Sequence, residues 1–257
     1  MGDIIFRKIG SDDNLNVLEE IQRDAWGIDD ITIVPSHIME AVRKFDAGFI
    51  VGAFIEEVAI AFLLALETRS KNIHYLHMIG VRPKYQGKRC GINIGTELMK
   101  YYGSQVSDMG IEKVEWTFDP LLSQNANLYF HKIGAIACKY QVAAYSQASE
   151  VGIYGGMPAD RLIVEWNLKI PIITRFDRQN HFLLPAINSA DQMLNVDAFR
   201  LIIPFDIQEL KSFNMKEAVE VRFQTRKLFL AAFAHGFIIT DFVCRKEFKE
   251  NFYIFTK

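Results

Sequence analysis

The chain has 257 residues, of which 50% are hydrophobic and 12% aromatic, so it holds enough apolar material for one large domain or two modest ones. That composition excludes a disordered chain. The formal net charge of −2 argues against a protein devoted to nucleic acid or membrane surfaces, because such proteins carry a large basic excess. We therefore expect neither nucleic acid nor a membrane as partner.

The cysteines, at positions 90, 138 and 244, are odd in number and form no C-x-x-C pair. They suggest neither a disulfide framework nor a zinc site, and we predict no metal. The first residues lack the basic start and apolar run of a signal peptide. The longest apolar stretch, Val58 to Leu66, is too short to span a bilayer. A cytoplasmic protein is the expectation.

Apolar spacing predicts the elements of the first two thirds of the chain. In chain order they are strand 4–9, helix 15–26, helix 35–45, strands 49–55, 58–66 and 73–81, helix 91–106, strand 114–118, helix 125–133, and strands 136–144 and 162–168. Ser11-Asp12-Asp13 is a candidate cap for the first helix, and Gly27 should end it. Glu56-Glu57 is a poor match to the residues that tight hairpins prefer.

Residues 170–197 show no clear period and are interpreted as an extended connector. Beyond them we predict strand 200–203, helix 215–235, and strands 237–243 and 252–255. This pattern indicates an α+β or mixed α/β protein. We divide it into a domain at 1–168 and a C-terminal extension at 169–257, whose role is open among completing the sheet, forming a homodimer and covering a functional site as a lid.

The most informative segment runs from Met78 to Gly95, where a strand leads through a basic turn into a helix. The first amides of a helix have no internal partner, and the helix dipole adds positive charge, so this arrangement suits a phosphate group. Lys84, Lys88 and Arg89 add full charges around it. Neither G-x-G-x-x-G nor G-x-x-x-x-G-K-[ST] occurs, which disfavours a dinucleotide or nucleotide-triphosphate fold.

The sequence from Tyr85 to Gly91 resembles the acyl-CoA motif of the GNAT acetyltransferases, (Arg/Gln)-x-x-Gly-x-(Gly/Ala), and is preceded by Val-x-Pro at 81–83. A helix that ends in Lys-Ile-Gly-Ala at 132–135 is similar to another feature of that family. The resemblance covers residues 4–168, and segments at 115–121 and 158–162 resemble an uncharacterised branch of predicted GNAT acetyltransferases. It implies a central, mixed, splayed sheet flanked by helices, with a smaller C-terminal α/β extension.

The resemblance also implies acetyl-CoA as co-substrate and an amine-bearing acceptor as partner. Backbone groups of two strand residues should meet the thioester and pantetheine, and the turn should hold the pyrophosphate. The implied CoA-binding residues are Ile79, Val81, Gln86, Gly87, Lys88, Arg89, Gly91, Ile92, Asn125 and Asn127. Arg89 stands where the family has its first glycine. An arginine is costly there if the position needs positive φ or very close phosphate approach; the alternative is an outward side chain whose guanidinium bonds the phosphates. For Asn125 and Asn127, capping of the helix they open is the alternative.

Three residues are candidates for the chemistry. Glu115 should face the slot beside the thioester as a general base, or else be a salt-bridged strand residue. His77 should share a strand face with Ile79 and handle a proton, or be structural. Many family members have a tyrosine four residues before the helix-ending glycine, where it acts as general acid to the departing thiolate. Phe130 holds that position here. Tyr129 lies one residue earlier, about 100° around an α-helix, and should therefore point elsewhere.

Other polar and aromatic residues have competing interpretations. Asp119 before a proline is typical of a turn cap. Trp26-Gly27 lies where the family forms its acceptor pocket, although core packing is the simpler interpretation. Arg222 and Arg226 share a helix face, as a solvated flank or as a clamp for an acidic acceptor. The sequence thus predicts transfer of acetyl to a primary amine of a small molecule or peptide, or alternatively a CoA-binding regulatory module with weak or no catalysis.

Overall fold

The computed structural model describes residues 3–27, 33–87, 91–144, 155–171 and 181–257. The chain forms two compact units, the first comprising Met1–Trp116 with Asn167–Lys169 and the second Thr117–Trp166 with Ile170–Lys257. The boundary between units therefore falls after Trp116, inside a strand. The division at 168/169, which separates the family-like part from its extension, is a different kind of boundary and stays a prediction.

The first unit is a sheet with helices. Its elements are β1 (Ile4–Lys8), α1 (Asn16–Trp26), α2 (Ser36–Lys44), β2 (Gly48–Ile55), β3 (Val58–Glu67), β4 (Ile73–Val81), a 3-10 turn (Pro83–Tyr85), α3 (Ile94–Asp108) and β5 (Lys113–Phe118), whose last two residues belong to the second unit. The strand order is β1-β2-β3-β4-β5. Neighbours are antiparallel except β4 and β5, which are parallel.

Helices cover both faces of this sheet, which explains the continuous apolar runs in β2 and β3. Ile50 packs into one cluster with residues of α1 and α2. Its neighbour Phe49 points to the other face, where its ring lies 6.1 Å from that of Tyr102 on α3. Because successive side chains of a strand alternate between faces, a strand covered on both sides must be apolar throughout.

Two predictions of helix starts are wrong. The first turn of α1 has Leu15 as N-cap without a side-chain bond. Asp13 instead accepts two hydrogen bonds from the Arg7 guanidinium, at 2.6 and 2.7 Å, and one from the Gly10 amide. The helix predicted from residue 91 begins at Ile94, where the Asn93 side chain accepts from the Thr96 amide at 2.9 Å. Gly27 does end α1, with φ of 59°.

The second unit has more helix than predicted. Its elements are α4 (Ser123–Ala126), a π-helical turn (Asn127–Lys132), β6 (Ile136–Gln141), β7 (Arg161–Asn167), β8 (Ala198–Ile203), α5 (Ile207–Phe213), α6 (Met215–Ala234), β9 (Ile238–Arg245) and β10 (Glu250–Thr256). The strand order is β7-β6-β9-β10-β8. Where the connector was expected to be extended, 3-10 turns form at His181–Leu183 and Ala190–Asn195, and residues 172–180 lie outside the described ranges.

Aromatic side chains fill the core of the second unit. Phe199 stacks on Phe255 at 4.7 Å, and Phe229 meets Tyr253 edge-on at 5.3 Å. Such ring pairs add about 1 kcal/mol each to the burial of their area. Two aromatics of the same set, Phe223 and Phe248, are exposed and are not part of this core.

In the described parts of the chain, no helix combines the length and the apolar character needed to cross a bilayer.

The β2–β3 hairpin stores backbone strain, because Glu56 and Glu57 have φ of 47° and 66°. A side chain in this left-handed region costs about 1 kcal/mol relative to glycine. We expect Glu57→Gly to raise the free energy of unfolding by about 1 kcal/mol in urea titration. Glu57→Ala is the control: it removes the same charge but keeps the Cβ, so an equal gain from alanine would contradict the strain argument.

Candidate functional site

The sheet of the first unit opens along β4. On its β3 side, β4 is paired from His74 to Val81. On its β5 side, pairing is confined to the start, and its last pair is Tyr75 with Glu115. Over the described residues 76–81, β4 therefore has no β5 partner, and the predicted splaying of the two strands is confirmed. The backbone groups along this edge are available to an extended ligand.

A β-bulge lies at this opening. Leu64 pairs with Met78, whereas the next residue, Ala65, pairs with Leu76, so His77 is the extra residue of β4. The bulge breaks the two-residue alternation, so the spacing of His77 and Ile79 no longer places them on one face, and the role of His77 stays a prediction. The His77 side chain is exposed, yet partial desolvation by its neighbours lowers the pKa of its imidazole, which favours the neutral form that can accept a proton.

The turn after β4 is held at its start. The guanidinium of Arg82 forms ion pairs with Glu20, at 3.0 Å, and with Asp24, both on α1. The Gln86 side-chain amide donates to the Val81 carbonyl at 2.9 Å. The Gln86 N–H donates to Pro83 at 3.3 Å, a long bond, so this amide is only weakly engaged within the turn.

Two glycines shape the remainder of the turn. Gly87 and Gly91 have φ of 72° and 81°, and a Cβ built on either meets no atom within 4 Å. Backbone conformation rather than lack of space therefore requires glycine at both positions. Gly91 and the exposed Ile92 precede α3 and are not in its first turn as predicted. Lys88 and Arg89 lie outside the described residues, so their predicted phosphate contacts stay predictions.

Glu115 has an ionic partner on its own strand. Its carboxylate lies 2.8 Å from the ammonium of Lys113, and both side chains are partly exposed. The salt-bridged alternative is therefore present in the structure. A partly exposed pair of this kind contributes little stability and separates readily, so it leaves the carboxylate available for chemistry.

Tyr129 lies in a π-helical turn, which changes the spacing used to place it. The Ile133 amide donates to the Leu128 carbonyl, five residues back, at 3.1 Å. In such a turn the residue five before Gly134 takes the place that an α-helix gives to the residue four before it. That residue is Tyr129, so the prediction that it points away from the family's tyrosine position rests on the wrong helical spacing.

Tyr129 and Phe130 are both buried, and both have Phe118 as a ring neighbour, at 5.1 and 5.9 Å. Tyr129 meets Phe118 edge-on, whereas Phe130 also packs against Tyr253 at 5.7 Å. Phe130 is thus part of the aromatic core of the second unit, where a hydroxyl would need a partner.

The capping alternative for the asparagines is wrong, and their predicted CoA contacts stay predictions. α4 begins at Ser123, with Leu122 as an N-cap that makes no side-chain bond, so neither Asn125 nor Asn127 caps it. Asp119 does hold its turn, accepting from the Leu121 amide at 2.8 Å, as predicted. The same carboxylate binds Arg222 at 2.5 and 2.6 Å, in the interior of the second unit.

Arg226 is paired in the same way. Its guanidinium forms two bonds of 2.8 Å with the two oxygens of the buried Asp160, which also accepts from the Tyr140 hydroxyl at 2.7 Å. Arg222 and Arg226 are therefore neither a solvated flank nor a clamp for an acceptor; both predictions are wrong. Trp26, by contrast, packs against the core cluster of α1, α2 and β2, as the simpler interpretation had it.

Comparison with protein families matches residues 15–135 to the acetyltransferase (GNAT) family. The fold resembles the ribosomal-protein-S18-alanine N-acetyltransferase from Escherichia coli (TM-score 0.51, 13% identity, 68% of this chain and 100% of that one). It also resembles an N-acetyltransferase from Staphylococcus aureus Mu50 (0.52, 14%, 65% and 99%) and a GNAT acetyltransferase from Streptococcus pneumoniae (0.51, 14%, 64% and 99%). Comparison with curated proteins finds no match. The expected fold is confirmed.

The Asp119–Arg222 pair predicts a large stability effect. Arg222→Met removes the partner of a buried carboxylate, and we expect a loss of about 3 kcal/mol or more in the free energy of unfolding. Adding Asp119→Asn removes the stranded charge while keeping an acceptor for the Leu121 amide, so the double variant should be more stable than the single one. If Arg222→Met were as stable as the parent, the buried ion pair would be contradicted, and the roles predicted from the sequence, a solvated flank or an acceptor clamp, would apply again.

Proposed function

Because residues 15–135 form a domain of the acetyltransferase (GNAT) family, we propose that the protein is an acyl-CoA-dependent N-acyltransferase. In this proposal it moves acetyl from acetyl-CoA to a primary amine of a small molecule or peptide, by direct attack of the amine on the thioester. The carrying observation is the end of β4–β5 pairing at Tyr75 and Glu115, which leaves one edge of β4 open as far as Val81.

The chemistry of that edge fits the proposal. Pantetheine is an extended chain with amide groups, and the backbone groups of Ile79 and the N–H of Val81, whose carbonyl already accepts from Gln86, would pair with it as a strand would. A backbone N–H aimed at the thioester oxygen stabilises the charge that develops during attack, an effect on the order of 3 kcal/mol. The turn with Gly87 and Gly91 then offers amides to the pyrophosphate.

Proton transfer completes the proposed reaction. The attacking amine must lose a proton, for which the partly exposed Glu115 and the neutral imidazole of His77 are the candidates. The departing thiolate gains a proton, for which Tyr129 is the candidate acid. The bond formed is the amide C–N bond, the bond broken is the thioester C–S bond, and the products are the N-acetyl acceptor and CoA.

Calorimetric titration with acetyl-CoA tests binding, and release of free thiol in the presence of an amine panel tests transfer. Binding together with acceptor-dependent thiol release is the expected result. No heat of binding would overturn the proposal.

Gly91 should matter for CoA through its backbone. Gly91→Ala forces a side chain into a conformation with φ of 81°, which shifts the turn amides, and we expect CoA affinity to fall by about tenfold. Gly110→Ala is the matched control, since Gly110 also has positive φ, at 88°, and an equally open Cβ position. Equal effects of the two variants on affinity would contradict a role for the turn.

Tyr129 should matter for turnover and not for CoA affinity. We expect Tyr129→Phe to lower kcat by about 100-fold and to remove the alkaline limb of the pH–rate profile, because it deletes the proposed acid. Tyr101→Phe, on α3, is the control: it deletes a different hydroxyl and should leave kcat and the pH–rate profile unchanged. If kcat were unaltered in Tyr129→Phe, the departing thiolate would take its proton from water and not from Tyr129.

A second candidate is a CoA-binding regulatory module with weak or no catalysis. The pair of Glu115 with Lys113 favours it to the extent that the pair is closed, since the carboxylate is a poorer base in that state. Tight CoA binding without thiol release across the amine panel, unchanged in Glu115→Gln, would select this candidate over the transferase.

A further inference from the structure

The second unit contains a cleft to which the proposed acyl transfer assigns no step; of its lining residues, Asn127 is also among those implied for CoA. Its volume is about 400 Å³, within the range of small-molecule sites. The π-helical turn and the β9 strand with the turn after it supply most of its walls. The polar residues that line it are Asn127, His131, Arg245 and Glu247, and Phe182 and Cys244 add apolar surface.

A buried carboxylate orients the imidazole in this cleft. Asp241 is 6% exposed, and its Oδ1 lies 3.2 Å from His131 Nδ1. The same oxygen accepts from the Phe242 amide at 2.7 Å, which fixes the carboxylate. The second carboxylate oxygen faces His181, whose Nδ1 lies 3.8 Å away. With Nδ1 committed to Asp241, His131 has Nε2 left for a ligand, the arrangement that prepares an imidazole for proton transfer.

A cation is held rigidly at the rim. The Arg245 guanidinium lies between two rings, 4.5 Å from the centroid of Phe182 and 3.8 Å from that of Phe248. One of its nitrogens pairs with Glu250 at 3.2 Å. An arginine has five N–H donors in a planar fork, so donors remain for a carboxylate. Stacking restricts the side chain in advance, which lowers the entropy cost of binding.

The Cys244 thiol lines the cleft but does not act as a nucleophile. Burial raises the pKa of Cys244, partly offset by Lys246, so the thiol is protonated at neutral pH. The exposed carboxylate of Glu247 lies at the same rim as Arg245, two residues away. Opposite charges therefore stand side by side at one opening, with an oriented imidazole behind them.

We propose that this cleft binds a small molecule with a carboxylate and a primary amine, in which Arg245 takes the carboxylate and Glu247 and His131 take the amine. Amino acids are the simplest members of this class. The charges at the rim match both ends of such a molecule, whereas a simple anion or a simple amine would leave one of them facing a neutral group. Binding requires no acyl-CoA, so its failure is distinct from a failure of acyl transfer.

NMR of protein with labelled histidine side chains provides the test, with the His131 resonance assigned from His131→Gln. The standard L-amino acids are added one at a time, and each binder is followed by its amide and by its deaminated acid. We expect a saturable shift of the His131 resonance for at least one amino acid, and binding about tenfold weaker for the two derivatives, each of which lacks one charge. No shift with any amino acid overturns the proposal.

Arg245→Met should weaken binding by about tenfold or more, since it keeps the stem but removes the charge. Arg200→Met is the matched control: Arg200 also faces Glu250, at 4.0 Å, and stacks over a ring, that of Phe252, but does not line the cleft. Unchanged affinity in Arg245→Met, or equal loss in both variants, overturns the assignment. If Arg245→Met does not fold, the comparison of derivatives on the parent protein decides.

Discussion

Backbone groups withdrawn from water must be paired, and the described residues of the first unit leave one side of β4 without a strand partner beyond Tyr75. Every other candidate feature of that unit is arranged around this edge. The bulge at His77 occurs where the strands begin to separate, and the pairing of Arg82 with α1 holds the far end. An extended ligand with amide groups satisfies such an edge in the way a neighbouring strand would, which is why the open edge carries the functional argument.

The second unit buries charged side chains within an aromatic core. Asp119 and Asp160 each face an arginine of α6, and the two pairs connect that helix to the ends of neighbouring strands. Hydrogen bonds from the Leu121 amide and the Tyr140 hydroxyl occupy further lone pairs of these carboxylates. Buried ion pairs contribute less to stability than to specificity, because desolvation offsets most of their attraction. They fix where α6 lies against strands whose other contacts are interchangeable rings.

Strands and long helices were predictable because their apolar spacing is local. Ile73–Val81 was predicted with its observed bounds, and Met215–Ala234 to within one residue. Errors arose where a distant partner decides the local structure. Asp13 was predicted as part of a helix cap, but its carboxylate instead accepts two hydrogen bonds from Arg7. Likewise, nothing in the spacing of Arg222 reveals a carboxylate 103 residues away.

The candidate site also has features set by local sequence and features set by residues distant in the chain. The glycine turn and the splayed strands follow from a contiguous motif and were predictable, whereas the pair of His131 with Asp241 joins residues 110 apart and gave no sequence signal. Short peptide-level patterns specify where a ligand's phosphates can lie. The chemistry that acts on an acceptor depends on contacts that only the folded chain brings together.

The π-helical turn at Asn127–Lys132 has a consequence for comparing this chain with its relatives. Such a turn is equivalent to an α-helix that has gained one residue, so position in the sequence and position in space differ by one on its N-terminal side. An alignment that counts back from Gly134 without a gap pairs each upstream residue with the wrong counterpart. A residue that such an alignment reports as missing from this helix is to be sought one place earlier.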